Sequence, residues 1–306
     1  MSIRTFGELE LSVSALGPVA VAVAQADDPE VLGSLFKGHK AGFIGLCHVS
    51  GDTDSIRRCI RDIGDDLSLY EITQAGTPAE AAALAVAAVR NRGARILVKG
   101  GLKSEYYLRA ILDRETGIRR SPVLTNLSVF QMSSYHKLLA VSDNAIIIAP
   151  TLEEKAYIVR NSRPLWEALG IAPAKVAALA AVETVSPRMP ATTDAARLAE
   201  MSKAGEFEGF VIEGPFGYDA AISRECAVEK GLASSIVCGD PDLILAPNLE
   251  AANALGKSYK FHGNAVWGGL VFGASVPAVL NSRSDDAANR FRSLLLARAV
   301  AEREAL

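Results

Sequence analysis

Short runs of β-branched apolar residues alternate along this chain with Ala- and Leu-rich segments whose apolar positions recur at helical spacing, the pattern of stacked β-α units on a largely parallel sheet. It predicts strands at 18–24, 43–48, 68–73 and 95–99, separated by helices over 29–40, 53–63 and 78–91 and followed by one over 107–113. The helix over 78–91 is apolar almost all round, so a broad face should be buried. After residues 117–122 the composition turns to short strands at 124–131, 138–141 and 145–148, and a second series begins. It comprises a helix from Thr151 to about Leu169, strand 175–181, a helix from about Thr193, strand 209–213, helix 220–230, strand 242–246 and helix 249–259. Thr151 caps its helix, Glu153 and Glu154 favour the dipole, and Gly170 stops it. Strands at 265–272 and 276–280 lead into a last helix from Asp285 to about Glu304. The expected architecture is α/β with mostly parallel sheet, either two lobes or one large unit with a cleft, and the boundary between the two series falls at residues 117–122.

Composition narrows the function classes. Against 35 acidic residues stand 32 Lys and Arg, a net charge of −3 with both signs scattered, which argues against a nucleic-acid surface or a membrane-binding basic patch. An anionic ligand must then be held locally. The first 13 residues carry Glu8 and Glu10 and no long apolar core, and the longest apolar runs fall far short of the ~20 residues of a membrane helix. A cytoplasmic protein is expected. Cys47, Cys59, Cys226 and Cys238 lack zinc-site spacing and read as buried thiols in a reducing compartment.

The first β-α turn lacks a dinucleotide glycine fingerprint, and Gly256-Lys257-Ser258 lacks the earlier glycine of a P-loop. His39, His48, His136 and His262 are scattered singly, with no Ser-His-Asp order, and read as structural. Two segments are more informative. Asn281-Ser282-Arg283-Ser284-Asp285 follows a buried strand and opens a helix, bringing a hydroxyl, a guanidinium and unpaired helix-start N–H groups together, the physical recipe for holding an oxyanion. A plain helix cap would have the same composition. Lys99-Gly100-Gly101-Leu102-Lys103-Ser104, with Arg109 one turn further on, lies at the C-terminal end of a predicted strand, where parallel sheets bind ligands. A glycine turn with solvated cations is the plainer alternative.

These segments belong to one longer pattern. It contains 108–113 with Thr116-Gly117, then Tyr135-His136-Lys137, 149–153, and 181–185 with 189–192. Glu213-Gly214-Pro215 with Tyr218-Asp219, Asn253, Lys257 and Ser282-Arg283-Ser284-Asp285 complete it. In this ordered set the chain resembles the phosphate acetyl/butyryltransferases over nearly its whole length, and is more similar to the butyryl branch. The resemblance implies two αβα lobes, residues 1–123 with 270–306 and residues 124–269, forming an interdomain cleft in an isocitrate/isopropylmalate dehydrogenase-like fold, with the last helix returning to the first lobe. It implies reversible transfer of a short acyl group, butyryl or acetyl, between coenzyme A and inorganic phosphate through a ternary complex. No metal or tightly bound cofactor takes part; coenzyme A is a substrate, and a homodimer is the usual assembly.

By the same resemblance Arg283 and Arg109 hold the phosphoryl group and position coenzyme A, and rigid guanidinium forks suit charge developing in a dry groove. Ser282 polarises the developing oxyanion or thiolate. The aspartate of the acetyl branch that acts as base is matched here by Asn289, so Asp285, four residues earlier on the same helix face, is the expected base, with Asp286 as the alternative. Gly100 and Ser104 line the substrate site, with Asn144 and Lys257 from the second lobe. Asn144, Ile147, Glu213, Ala252-Asn253 and Gly256-Lys257 depart from the family pattern. Two other readings share the fold or the ligand. An NAD-dependent decarboxylating dehydrogenase would need acidic metal ligands converging in the cleft; a non-catalytic acyl-CoA-binding paralogue would bind without turnover. Trp166 and Trp267 are expected in packing, Glu183 as a hydrogen-bonded structural acid, and Asp219 with Lys257 as an ion pair.

Overall fold

A computed structural model describes residues 2–282 and 285–303, the last by its backbone alone. In chain order the elements are α1 Phe6–Ser14, β1 Val19–Ala24, α2 Pro29–Lys40, β2 Ile44–Gly51, α3 Thr53–Ile63, β3 Tyr70–Gln74, α4 Pro78–Asn91, β4 Ile96–Lys99 and α5 Ser104–Leu112. There follow β5 Thr125–Gln131, β6 Leu139–Ser142, α6 Leu152–Asn161, α7 Arg163–Ala168, β7 Ala174–Leu179, α8 Pro190–Lys203, β8 Phe210–Phe216, α9 Tyr218–Ile222, α10 Arg224–Glu229, β9 Leu243–Leu245 and α11 Leu249–Phe261. The last are β10 Val266–Phe272, β11 Ala278–Val279 and α12 Ala287–Arg303. Short polar side chains start the helices by taking up N–H groups that have no partner in the first turn. Asp28, Asp52, Thr77 and Asn248 each accept one, and Thr151 with Glu154 closes a full capping box.

The chain divides into two compact units, one of residues 2–5 with 125–267 and one of residues 6–124 with 268–303. In the second of these the strand order is β3-β2-β1-β4-β11-β10, parallel except for β10. Val21, Val23, Ile96, Leu97 and, from α12, Leu294 and Leu296 form its interior, each with essentially no exposure. The other unit orders its strands β5-β6-β9-β7-β8, parallel except for β5. Its core gathers Phe130, Leu139, Ile244 and Tyr259, with the Phe130 and Tyr259 rings meeting edge to face at 5.2 Å.

The structure departs from the sequence expectations where polar side chains compete with the ladder. Residues 145–148 form no strand, because the Asp143 carboxylate takes the N–H groups of Ala145 and Ile146 at 2.9 and 2.8 Å and turns the chain. The helix expected over 151–169 breaks at Ser162, ahead of Pro164, which has no N–H to give; Trp166 donates its indole N–H back to Ser162 at 2.9 Å. The expected helix 220–230 is split by Ser223, which caps α10. The last helix begins at Ala287 rather than Asp285, and its expected end at Glu304 lies outside the described residues. Helix α1 was missed although Phe6, Leu9 and Val13, its buried face, carry the helical spacing.

One cluster ties the N-terminal ends of β6, β7 and β9 together. Lys137, Lys175 and His136 converge on Asp240 at 2.6–2.8 Å. Burial works against ionisation of Asp240, but hydrogen bonds from these three groups outweigh it and hold the carboxyl well below its ordinary 3.8. A carboxyl depressed in this way stabilises the fold fully above its unfolded value and loses that contribution as pH falls toward the lower folded value. The difference in urea midpoint between the wild type and Asp240→Asn should therefore be flat above about pH 5 and shrink below about pH 4.

Candidate active site

In the unit holding β1 to β4, the chain leaves β1 for β2 on one side and later enters β4 on the other. This is a topological switch point, where the C-terminal strand ends of an open parallel sheet leave a crevice for ligands. Ala24 lies level with Lys99, and the two strands stay zipped one step further, Gly100 N–H donating to Ala24 O and Gly101 N–H to Gln25 O, both at 2.8 Å. Gln25 is left-handed, at φ 56°, and its carbonyl runs so close to Gly100 that a Cβ there would stand 2.0 Å from it. Only glycine fits. Lys99, 3% exposed, folds over the turn and donates to the carbonyls of Gly100 and Leu102 at 3.1 and 2.9 Å.

The turn delivers the chain to α5. Ser104 is its exposed first residue, and the Arg109 side chain is 71% exposed, held among the described residues by Glu105 at 2.6 Å on the same helix face. A pair this exposed contributes about 0.5 kcal/mol, so Arg109 is held lightly.

Next to β4 lies β11, parallel to it, with Val279 level with Val98, so the chain leaves β11 at the same sheet edge at which Gly100 follows β4. Asp285 is buried. Its carboxylate accepts the Ser282 N–H at 2.8 Å and the Asn281 amide at 3.3 Å, while its own N–H donates to Ser282 O at 3.1 Å. Ser282 is exposed. Gly100, Ser282 and Asp285 thus share one sheet edge; Arg283 and Ser284 lie outside the described residues. Asp286, the other candidate base, caps α12 by accepting the Asn289 N–H at 2.8 Å, and Asn289 accepts from Arg292 at 3.0 Å.

Asn144 and Lys257 belong to the other unit. Asn144 follows β6, and its side chain bonds with Asn126 and with Ser128, its Nδ2 donating to Ser128 Oγ at 2.9 Å. Asn253 on α11 donates to its carbonyl at 3.0 Å. Lys257, on the same helix, is exposed. The expected ion pair with Asp219 is not formed: Lys230 lies closer in the fold and holds both Asp219 and Glu183, at 2.7 and 2.8 Å. Glu183 also accepts the Gly217 N–H at 3.1 Å.

A second constellation imitates a nucleophilic triad. Cys47 Sγ stands 3.5 Å from His39 Nε2, and His39 Nδ1 stands 2.7 Å from Asp65. Burial first, and the Asp65 charge second, push the Cys47 thiol far above its ordinary range, and His39 Nε2 also meets Gly45 O at 2.9 Å. A fully buried thiol of this kind is inert packing. Among the described residues no group of three or more His, Cys, Asp or Glu side chains is placed to hold a metal ion. Nor is any helix long and apolar enough to cross a membrane.

The model of the family described as phosphate acetyl/butaryl transferase matches residues 38–297. The chain belongs to this family. It is an acyltransferase, of the class that exchanges an acyl group between coenzyme A and phosphate. A probable phosphate butyryltransferase of Bacillus subtilis is 38% identical over 285 residues, 92% of this chain and 93% of that protein. The phosphate butyryltransferase of Clostridium acetobutylicum is 36% identical over 299 residues, 98% of this chain and 99% of its own. Among solved structures, a branched-chain phosphotransacylase from Enterococcus faecalis V583 is similar with a TM-score of 0.79 and 29% identity, over 92% of this chain and 99% of that one.

Sequence reasoning missed four polar residues at this edge: Gln25, Asp27 and Asp28 after β1, and Arg290 in α12. Arg290 offered a signal. It is a cation in the first turns of a helix whose later residues are mostly apolar, so burial was legible, whereas its partners were not.

Proposed function

We propose that butyryl-CoA, or an acyl-CoA of similar size, is the preferred substrate in the reaction acyl-CoA plus phosphate giving acyl phosphate plus coenzyme A. The observation that carries the site assignment is the meeting of Gly100, Ser282 and Asp285 at the switch-point edge. The acyl length is supported by the names of the two butyryl relatives and the branched-chain phosphotransacylase. Arg283 and Arg109 hold the phosphoryl group and coenzyme A, and Ser282 polarises the reacting centre, with Gly100 and Ser104 lining the site. Asn144 and Lys257 are further candidates for contact with the substrate. A cytoplasmic homodimer without bound cofactor completes the proposal; sedimentation of the purified protein checks the assembly.

Phosphate-dependent release of free thiol from two- to six-carbon acyl-CoAs, straight and branched, tests it. A pocket shaped for four carbons should prefer butyryl over acetyl by about tenfold or more in kcat/KM, since each methylene contributes about 1–3 kcal/mol. No release from any of them by folded protein would discard the reading, and calorimetric coenzyme A binding without turnover would favour the non-catalytic paralogue.

The hydrogen bond from Ser282 N–H to Asp285 favours a second role for this carboxylate, aiming Ser282 rather than taking the thiol proton. Asp285→Asn separates them. Loss of a base lowers the rate by about 10²–10⁴ and removes the acid limb of the pH profile, whereas loss of aim lowers the rate equally at every pH.

A further inference from the structure

Behind Ser282 lies a buried guanidinium. Arg290 is 3% exposed, and its fork gathers the main chain on either side of the proposed chemistry. Nε donates to the carbonyl of Asp285 at 3.1 Å and Nη2 to that of Ser282 at 3.2 Å. The same Nη2 reaches Asp28 at 3.4 Å, the residue that caps α2 just past the end of β1. Two residues along, Glu30 accepts the Ala287 N–H at 2.6 Å, so the N-terminus of α2 grips the start of α12 by two acidic side chains.

Packing does not account for this arrangement. A buried arginine is costly, and apolar replacements of buried ion pairs are often neutral or stabilising, so stability alone would favour a methionine here. Nη1 has no partner among the described protein groups, which leaves part of the fork's desolvation cost unrecovered. What the fork provides is rigidity: a planar donor set fixes two carbonyls in relation to a carboxylate anchored on another element. Lysine, a point charge, would fix neither.

We infer that Arg290 is a positioning residue for acyl transfer, clamping Ser282 against the switch-point edge through its carbonyl and that of Asp285, with Asp28 as the anchor. The inference rests on the proposed role of Ser282. A serine displaced by about 1 Å loses on the order of 10² in rate, so the clamp acts on kcat rather than on substrate capture.

The test is steady-state kinetics on the full chain with butyryl-CoA and phosphate. Arg290→Ala should lower kcat about 100-fold with KM for butyryl-CoA within about threefold, and millimolar methylguanidinium should restore at least a tenth of the lost rate. Arg290→Lys should not exceed Arg290→Ala. Asp28→Asn keeps the α2 cap, since asparagine caps as well as aspartate, and should lower kcat of the folded enzyme about tenfold, while the weakened ion pair lowers the melting temperature. Folded Arg290→Ala with wild-type kcat overturns the inference, as does a loss that methylguanidinium leaves untouched. Should Arg290→Ala fail to fold, Asp28→Asn decides, and wild-type kcat in that variant rejects the clamp. An inert but folded wild type brings down the functional reading itself and leaves Arg290 as a structural tie.

Discussion

Gly100→Ala is expected to abolish acyl transfer while leaving most of the fold intact. The new Cβ would stand 2.0 Å from the Gln25 carbonyl oxygen and 2.7 Å from that of Ala24, and both obstacles are backbone, which cannot rotate out of the way. The ends of β1 and β4 must part, and the hydrogen bonds from Gly100 to Ala24 and from Gly101 to Gln25 are strained or lost. Overpacking of this kind costs about 1–3 kcal/mol, and each hydrogen bond about 1 kcal/mol more. The damage falls on the turn that carries Lys99 and leads to Ser104 and Arg109. We expect at least a 100-fold loss of kcat/KM in thiol-release assays, with a circular dichroism spectrum close to wild type. Near-wild-type activity would show that this edge is not where the chemistry occurs.

The second large effect is on stability and should spare the chemistry. Lys137 is 12% exposed and binds Asp242, 4% exposed, at 2.6 Å and Asp240 at 2.8 Å. Asp242 also accepts the Lys175 N–H at 2.7 Å. Lys137→Met fills a similar volume but strands a buried carboxylate without its cation, which costs about 3–5 kcal/mol. That is a large part of the 5–15 kcal/mol that holds a typical domain together. Chemical denaturation should show a lower midpoint with an unchanged slope, and Asp242→Asn in the same chain should restore part of the loss. Specific activity of the folded fraction should change little, because the network sits at the N-terminal ends of β6, β7 and β9, opposite the end where parallel sheets place ligands.

A family pattern mixes structural and chemical roles. Tyr135-His136-Lys137 and Ser282-Arg283-Ser284-Asp285 contribute alike to the resemblance, yet the first ties strand starts together, whereas Ser282 and Asp285 of the second stand at the proposed chemistry. Residue identity does not separate these roles. The strand end at which each segment lies does.

The alternation of apolar runs and helical segments fixed the α/β class, and most element centres followed from local patterns, because a strand or helix is specified by which face its own residues must bury. Glycine at 100 and the Ser282–Asp285 segment were legible as candidates for the same local reason. Partners were not. That Arg290 reaches Asp28 and that Lys230 ties Asp219 to Glu183 are contacts that join residues up to 262 positions apart. Such pairs are set by the order in which strands join the sheet, and the one-dimensional pattern leaves that order open. Likewise the chain turns at 145–148 because the Asp143 carboxylate competes for two N–H groups, a choice between nearly equal hydrogen-bonding options that only the folded surroundings decide.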